Sequence, residues 1–320
     1  MLNMLLLAVG VVLLSVGGEA LIRGSLAAAR RLRVSPLLSG LVIVGFGTSA
    51  PELVVSVDAA INERPDIAVG NVVGSNIGNI LLILGICAII SPLGVKPLAL
   101  RRDAIVVVAA SILFVVLVGG NALGRVDGII FLVALVAYLI WAYLSERDHA
   151  GPVAELHQAE AGELSALPKS LWFIVIAILL GLSLLIGGSQ VLLRGAIGIA
   201  AHFGVSEAVI GLTLVAVGTS LPELSISVIA AIRRHADVAV GNILGSNIFN
   251  LLGILGVSAL LQPLPVHARI LQFDQWVMLG TALLLLLFLY TGRRLSRVEG
   301  GLLLVGYGAY VAVGFSVFAS

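Results

Sequence analysis

Glu52 and Glu223 are carboxylates set inside apolar stretches, and the same short pattern carries both: GFGTSAPEL at 45–53 and AVGTSLPEL at 216–224. An acidic side chain near the centre of a bilayer costs about 2.5–3.5 kcal/mol, so two at matched positions point to use and not accident. No Lys or Arg falls at the same depth in either stretch, which leaves a cation from solution as the partner. Pro51 and Pro222 lack an N–H and clash with the preceding turn, so the carbonyls of Gly47 and Gly218 lose their usual helix donors. Irregular backbone at membrane depth is tolerated where it lines a cavity or meets a ligand, and freed carbonyls are hard oxygens suited to Na⁺ or Ca²⁺. Thr48 and Ser49 beside Glu52, and Thr219 and Ser220 beside Glu223, add hydroxyl oxygens. Proline in a membrane helix often only kinks it, and Ser or Thr often only bridges helices. Neither explanation accounts for the glutamates.

A second pattern follows each first one, GNVVGSNIGN at 70–79 and GNILGSNIFN at 241–250. Asn71, Ser75 and Asn79 are four apart, drift by only about 40° per step, and share one helix face. Gly70 and Gly74 form a small-residue pair that lets another backbone approach, bringing Ser75 and Asn79 toward Glu52. Ser75, Asn79, Ser246 and Asn250 are therefore candidate ligands, while Asn71, Asn76, Asn242 and Asn247 are expected to bond helices together. Two further acids break the pattern: Asp58 corresponds to Ile229, and Glu19 falls near Ser189 and Gln190. Both are candidates for an access path or gate.

The elements that must position these residues are membrane helices. Of 320 residues 60% are hydrophobic and 11% charged, against about 45–50% and 25% in soluble domains. A span needs about 20 apolar residues. Ten can be marked, near 2–22, 36–61, 67–90, 103–120, 126–144, 170–193, 206–232, 238–261, 271–290 and 298–317. The first lacks a basic leader and a cleavage site, so it reads as a retained helix. Thr48 and Thr219, Glu52 and Glu223, Asn71 and Asn242, Ser75 and Ser246, Asn79 and Asn250, Pro92 and Pro263, and Asp103 and Asp274 are each 171 residues apart. Five spans per half is an odd number, so the second half enters from the opposite side. The expected fold is an all-α membrane protein of ten transmembrane helices in two inverted five-helix repeats, 1–144 and 170–320, joined by a polar linker at 145–169.

Alternate connections hold fourteen and four of the 18 Lys and Arg residues. The positive-inside rule then puts the linker in the cytoplasm and both termini outside it, in the cell (inner) membrane. Cys87 is the single cysteine and cannot form an intramolecular disulfide. A net charge of +1 gives no footprint for nucleic acid. All five histidines fall in or near connections, so Ser49 and Ser220 have no general base at membrane depth and the chain does not read as an enzyme. Nothing points to a cofactor or to an obligatory protein partner; the lipid bilayer is the expected surrounding.

The paired GTSxPE and GNxxGSNxxN segments resemble the α-repeats of the cation/Ca²⁺ exchanger superfamily, in its Na⁺/Ca²⁺ exchanger branch and above all its compact prokaryotic members. The resemblance covers essentially the whole chain. It implies a cluster of sites where Ca²⁺ and Na⁺ are transported substrates, held by Thr48, Ser49, Glu52, Ser75 and Asn79 with Thr219, Ser220, Glu223, Ser246 and Asn250. The backbone carbonyls of Gly45 and Ala216 fall where the family uses backbone oxygen. Some members carry an acid at one of the positions held here by Asn79 and Asn250. K⁺-dependent relatives usually have Asp at the position of Asn250, and the Ca²⁺/H⁺ branch has Glu where this chain has Gly74 and Gly245. The expectation is K⁺-independent, electrogenic Na⁺/Ca²⁺ antiport by alternating access, with Ca²⁺/H⁺ antiport through the same glutamates as the alternative. Gly17-Gly18 and Gly187-Gly188 are the expected sliding elements.

Overall fold

The structure, a computed structural model, describes residues 2–32, 34–94, 97–148, 170–202, 216–292 and 294–318. The described residues are mostly helical: α1 (Leu2–Leu32), α2 (Gly40–Thr48), α3 (Ala50–Ile61), α4 (Pro65–Ile90), α5 (Pro97–Leu117), α6 (Arg125–Asp148), α7 (Leu171–His202), α8 (Ala216–Thr219), α9 (Leu221–Ile232), α10 (Ala236–Leu261), α11 (Ile270–Thr291) and α12 (Arg297–Phe318). Seven of these (α1, α4, α5, α6, α7, α10 and α11) are long and apolar enough to cross a bilayer, and α2 with α3 makes an eighth across a 48° bend. Of the two remaining expected spans, 206–232 lies partly outside the described residues and ends in α9, and 298–317 coincides with α12. The expected linker lies almost wholly outside the described residues.

The first helix is longer than its apolar run. It continues through Arg23, Arg30 and Arg31 to Leu32, because charged residues end the hydrocarbon stretch without disfavouring helix, and Pro36 soon after biases the chain away from it.

Helices α1 and α7 pack antiparallel on glycines that recur every seventh residue in each: Gly10, Gly17 and Gly24 against Gly181, Gly188 and Gly195. Gly10 faces Leu192, Gly17 faces Leu184 and Gly24 faces Ile178. A Cβ at any of the six would lie 2.6–2.9 Å from an atom of the other helix, so the close approach requires glycine. Of the glycines singled out for sliding, Gly17 and Gly188 sit in this seam. Gly18 instead receives the side chain of Ile229 on α9, and Gly187 faces open space.

The two halves echo each other at the turns. Leu93–Gly94 pairs with Arg294–Leu295, and Ala122–Leu123 with Leu264–Pro265, both antiparallel. Glu63 (φ 56°) and Arg234 (φ 62°), 171 residues apart, are left-handed in the turns after α3 and α9. Helices α5 and α11 each carry an aspartate clamped to the helix that follows, α6 and α12. Asp103 accepts from Arg102 Nε (2.7 Å) and Tyr138 Oη (2.9 Å), and Asp274 from Arg269 Nε (3.2 Å) and Tyr310 Oη (3.1 Å). The centre of the molecule is α10, 83% of whose apolar window is buried, against 28% for α6 and α7.

Candidate cation site

The two broken helices meet at this centre. In the first half, Ser49 interrupts the helix between α2 and α3 with φ −80° and ψ 7°, and Ser220 does the same between α8 and α9 with φ −89° and ψ 9°. Pro51 and Pro222 sit in the first turn after each break, where a missing N–H costs nothing. Glu52 and Glu223 lie in those same first turns, and each is 1% exposed. A helix N-terminus is a favourable place for an anion.

The serines cross between the halves. Ser49 Oγ donates to Glu223 Oε1 (3.0 Å) and Ser220 Oγ donates to Glu52 Oε1 (2.9 Å). Each carboxylate thus keeps its second oxygen, Oε2, buried and without a donor. Among the described residues no Lys or Arg pairs with either glutamate.

The asparagines divide into two sets. Asn71 Nδ2 donates to Ser56 Oγ (3.0 Å) and to the Glu52 carbonyl (3.4 Å), and Asn242 Nδ2 donates to Ser227 Oγ (2.8 Å) and to the Glu223 carbonyl (3.2 Å). These bonds lock each glutamate-bearing helix to the helix after it. Asn242 Oδ1 also accepts from Thr48 Oγ1 (3.1 Å). Ser56 and Ser227 were not singled out by sequence, although they too are 171 residues apart.

Asn76 Nδ2 donates to the backbone carbonyl of Asn247 (3.3 Å), and its Oδ1 accepts from Asn250 Nδ2 (3.1 Å). Asn79 Nδ2 donates to Asn247 Oδ1 (3.0 Å). The backbone bond fixes which way the Asn76 amide points, and that fixes Asn250 in turn. What remains is Asn79 Oδ1 and Asn250 Oδ1, both buried and without a donor, and Asn247 Nδ2, buried and without an acceptor. Asn79 and Asn250 fall where α4 and α10 widen into π-helical turns, Asn79–Leu84 and Phe249–Ile254, a departure frequent at functional positions.

Backbone oxygen joins from α2. The Gly45 carbonyl accepts from Ser246 Oγ (3.0 Å) and Thr48 Oγ1 (3.3 Å). A Cβ at Gly45 would lie 2.8 Å from the Asn242 carbonyl, and one at Gly245 would strike the Leu41 carbonyl, so glycine allows this crossing of α2 and α10. The matching approach to Gly74 would come from residue 212, which is outside the described residues. Ala216 opens α8, and Ser75 is half-buried on α4. Thr219 lies one residue before the break at Ser220.

Asp58 and Glu19 do not enter the site. Asp58 is exposed and accepts from Asn62 Nδ2 (3.1 Å). Glu19 pairs with Arg23 (2.8 Å) on its own helix and with Arg233 (3.3 Å) at the end of α9. The halves differ here: α1 packs along α9, whereas α7 and α3, their counterparts at the 171-residue offset, make no comparable contact among the described residues.

Four acceptor oxygens of these residues are buried with no donor: two from carboxylates and two from amides. An unpaired buried acceptor costs about 1–3 kcal/mol, more when charged. A hard cation is a ligand that would satisfy such oxygens.

The family described as sodium/calcium exchanger protein matches residues 2–144 and again 173–315. A protein of Alkalimonas amylolytica that carries the antiporter name CaxA is 40% identical, covering 96% of this chain and 97% of its own length. The sodium/calcium exchanger MaX1 of Methanosarcina acetivorans is 31% identical, covering 98% of this chain and 99% of its own. A solved structure of the sodium-calcium exchanger NCX_Mj, soaked with zero Na⁺ and Ca²⁺, superposes with a TM-score of 0.83 at 33% identity, covering 97% of this chain and 98% of that one.

Proposed function

This chain belongs to the sodium/calcium exchanger protein family, and from that premise we propose that it exchanges Na⁺ for Ca²⁺ across the inner membrane, electrogenically and without K⁺. The observation that carries the proposal is the set of unpaired buried oxygens on Glu52, Glu223, Asn79 and Asn250. Two carboxylates neutralise one Ca²⁺, or hold several Na⁺ with positive charge to spare, so one round of exchange moves net charge. An empty site leaves two anions in a low-dielectric interior, which discourages crossing without cargo.

We take Thr48, Ser49, Ser75, Thr219, Ser220 and Ser246, with the Gly45 and Ala216 carbonyls, as the remaining ligands. Ser49 and Ser220 hold one carboxylate oxygen each while the other turns to the cation. Gly74 and Gly245, which stand where a glutamate would carry a proton in H⁺-coupled relatives, favour Na⁺ as the counter-ion.

Alternating access uses the same architecture. The chain is read as two inverted five-helix repeats, and the two separate family matches support a division into 1–144 and 170–320. The glycine seam makes α1 and α7 one unit, and the packing of α1 on α9, reinforced by Glu19 and Arg233, closes one side of the site. The looser packing of α7 on α3 leaves the other side for entry, beside Asp58. Both termini are taken to lie outside the cytoplasm. The testing experiment is reconstitution into liposomes with imposed gradients of Na⁺, H⁺ or K⁺, following Ca²⁺ uptake. Uptake that needs a Na⁺ gradient and ignores K⁺ at clamped pH is the expected result; uptake driven by pH alone overturns the assignment in favour of Ca²⁺/H⁺ exchange.

A further inference from the structure

A groove of about 480 Å³ runs between α1 and α7 on their outer, bilayer-facing surface, within the ~300–1,000 Å³ typical of small-molecule sites. Its walls are apolar, with Val16 and Ala20 on α1 and Phe173, Ile176 and Leu180 on α7. Its rim is charged: Glu19 and Arg23 line one edge. Arg23 follows directly on the largely apolar run 2–22, whose length spans the ~30 Å hydrocarbon core, so its guanidinium stands at headgroup level. Glu19 also holds Arg233, and both arginines are 60% exposed. One carboxylate shared by two guanidiniums leaves a positive charge beside an apolar slot.

We propose that this groove is a binding site for an anionic phospholipid, one acyl chain lying between α1 and α7 and the phosphate held by Arg23 and Arg233. The occupant follows from the placement. A slot open sideways to hydrocarbon is filled by a lipid tail, and guanidiniums match phosphate geometry in forked pairs. A zwitterionic headgroup cancels its own phosphate charge, so one surplus cation favours the anionic lipid by about fivefold. The bound lipid ties α1 and α7 to α9 through Arg233, across the contact that closes the site on that side.

The test is native mass spectrometry of the purified full chain, titrated with phosphatidylglycerol or with phosphatidylcholine of the same acyl chains. Wild type is expected to retain phosphatidylglycerol about fivefold more tightly. The Arg23→Gln/Arg233→Gln double substitution should abolish the preference, Glu19→Gln should strengthen it, and Ala20→Trp, which fills the slot, should weaken both lipids. Equal binding of the two lipids by wild type overturns the proposal, as does an unchanged preference in the double variant. Displacement of the lipid by soluble glycerol phosphate would mark a phosphate site without a tail and overturn it equally. Thermal unfolding and elution volume report that each variant is folded, so the outcome is independent of which ions the protein transports.

Discussion

Replacing Asn76 with alanine tests whether the cation site depends on residues that never touch the ion. Asn76 is 1% exposed and joins two parts of the centre: it donates to the Asn247 carbonyl at 3.3 Å and accepts from Asn250 Nδ2 at 3.1 Å. Its removal leaves the buried Asn250 Nδ2 unpaired, at a cost of about 1–3 kcal/mol, so Asn76→Ala should unfold at lower temperature than wild type. The sharper effect is on binding. Without its acceptor, the Asn250 amide is free to rotate, and Oδ1 is no longer held in one orientation. Loss of a group that orients a ligand typically lowers metal affinity by about 10- to 100-fold. Equilibrium ⁴⁵Ca²⁺ binding in detergent at low temperature, where the variant stays folded, measures this directly. Ser111→Ala on α5, which loses only a bond to its own helix at the Val107 carbonyl, should leave the affinity unchanged. If folded Asn76→Ala binds Ca²⁺ within about twofold of wild type, the relay through Asn76 and Asn250 is refuted.

Two other substitutions separate movement and scaffold from binding. A Cβ at Gly188 would lie 2.9 Å from Leu13 Cβ and 3.0 Å from the Leu14 amide; Gly188→Val should slow Ca²⁺ flux about tenfold, as ~1.4 kcal/mol on the barrier would. Equilibrium Ca²⁺ affinity should stay near wild type, and lost affinity would count against α1 and α7 as the moving unit. Asp103 is fully buried against Arg102 and Tyr138. Asp103→Ala leaves the guanidinium without its carboxylate and should cost about 3–5 kcal/mol of stability, whereas Tyr138→Phe should cost about 1–2 kcal/mol, both read by thermal unfolding. Neither should alter the Na⁺ dependence of transport in the folded fraction.

The sequence makes some of this visible and hides the rest for physical reasons. The broken helices are legible because Pro51 and Pro222 act on their own backbone, within one turn. The repeat is legible because identical residues stand at a fixed offset. Which side chain bonds to which is a three-dimensional choice: nothing local predicts that Ser49 donates to Glu223 of the other half and not to nearby Glu52. Ser56 and Ser227 look like ordinary polar residues until Asn71 and Asn242 select them, although their 171-residue spacing was available as a signal. Glu19 lacks an acidic counterpart in the second half, yet its partner Arg233 becomes apparent only when α1 packs against the end of α9. The bonding roles expected of Asn71 and Asn242 match the hydrogen bonds they make, because asparagines repeated on a buried helix face have few alternatives to pairing across helices.

The central claim is that one site, built on Glu52, Glu223, Asn79 and Asn250, takes Ca²⁺ and Na⁺ in competition. Calorimetric titration of Ca²⁺ into the purified protein, repeated over a series of Na⁺ concentrations, addresses it most directly. The predicted result is one Ca²⁺ per chain, an apparent affinity that falls more steeply than the first power of Na⁺, and no Ca²⁺ binding in folded Glu52→Gln or Glu223→Gln. Ca²⁺ affinity indifferent to Na⁺, or wild-type Ca²⁺ binding in either glutamine variant, would contradict the account.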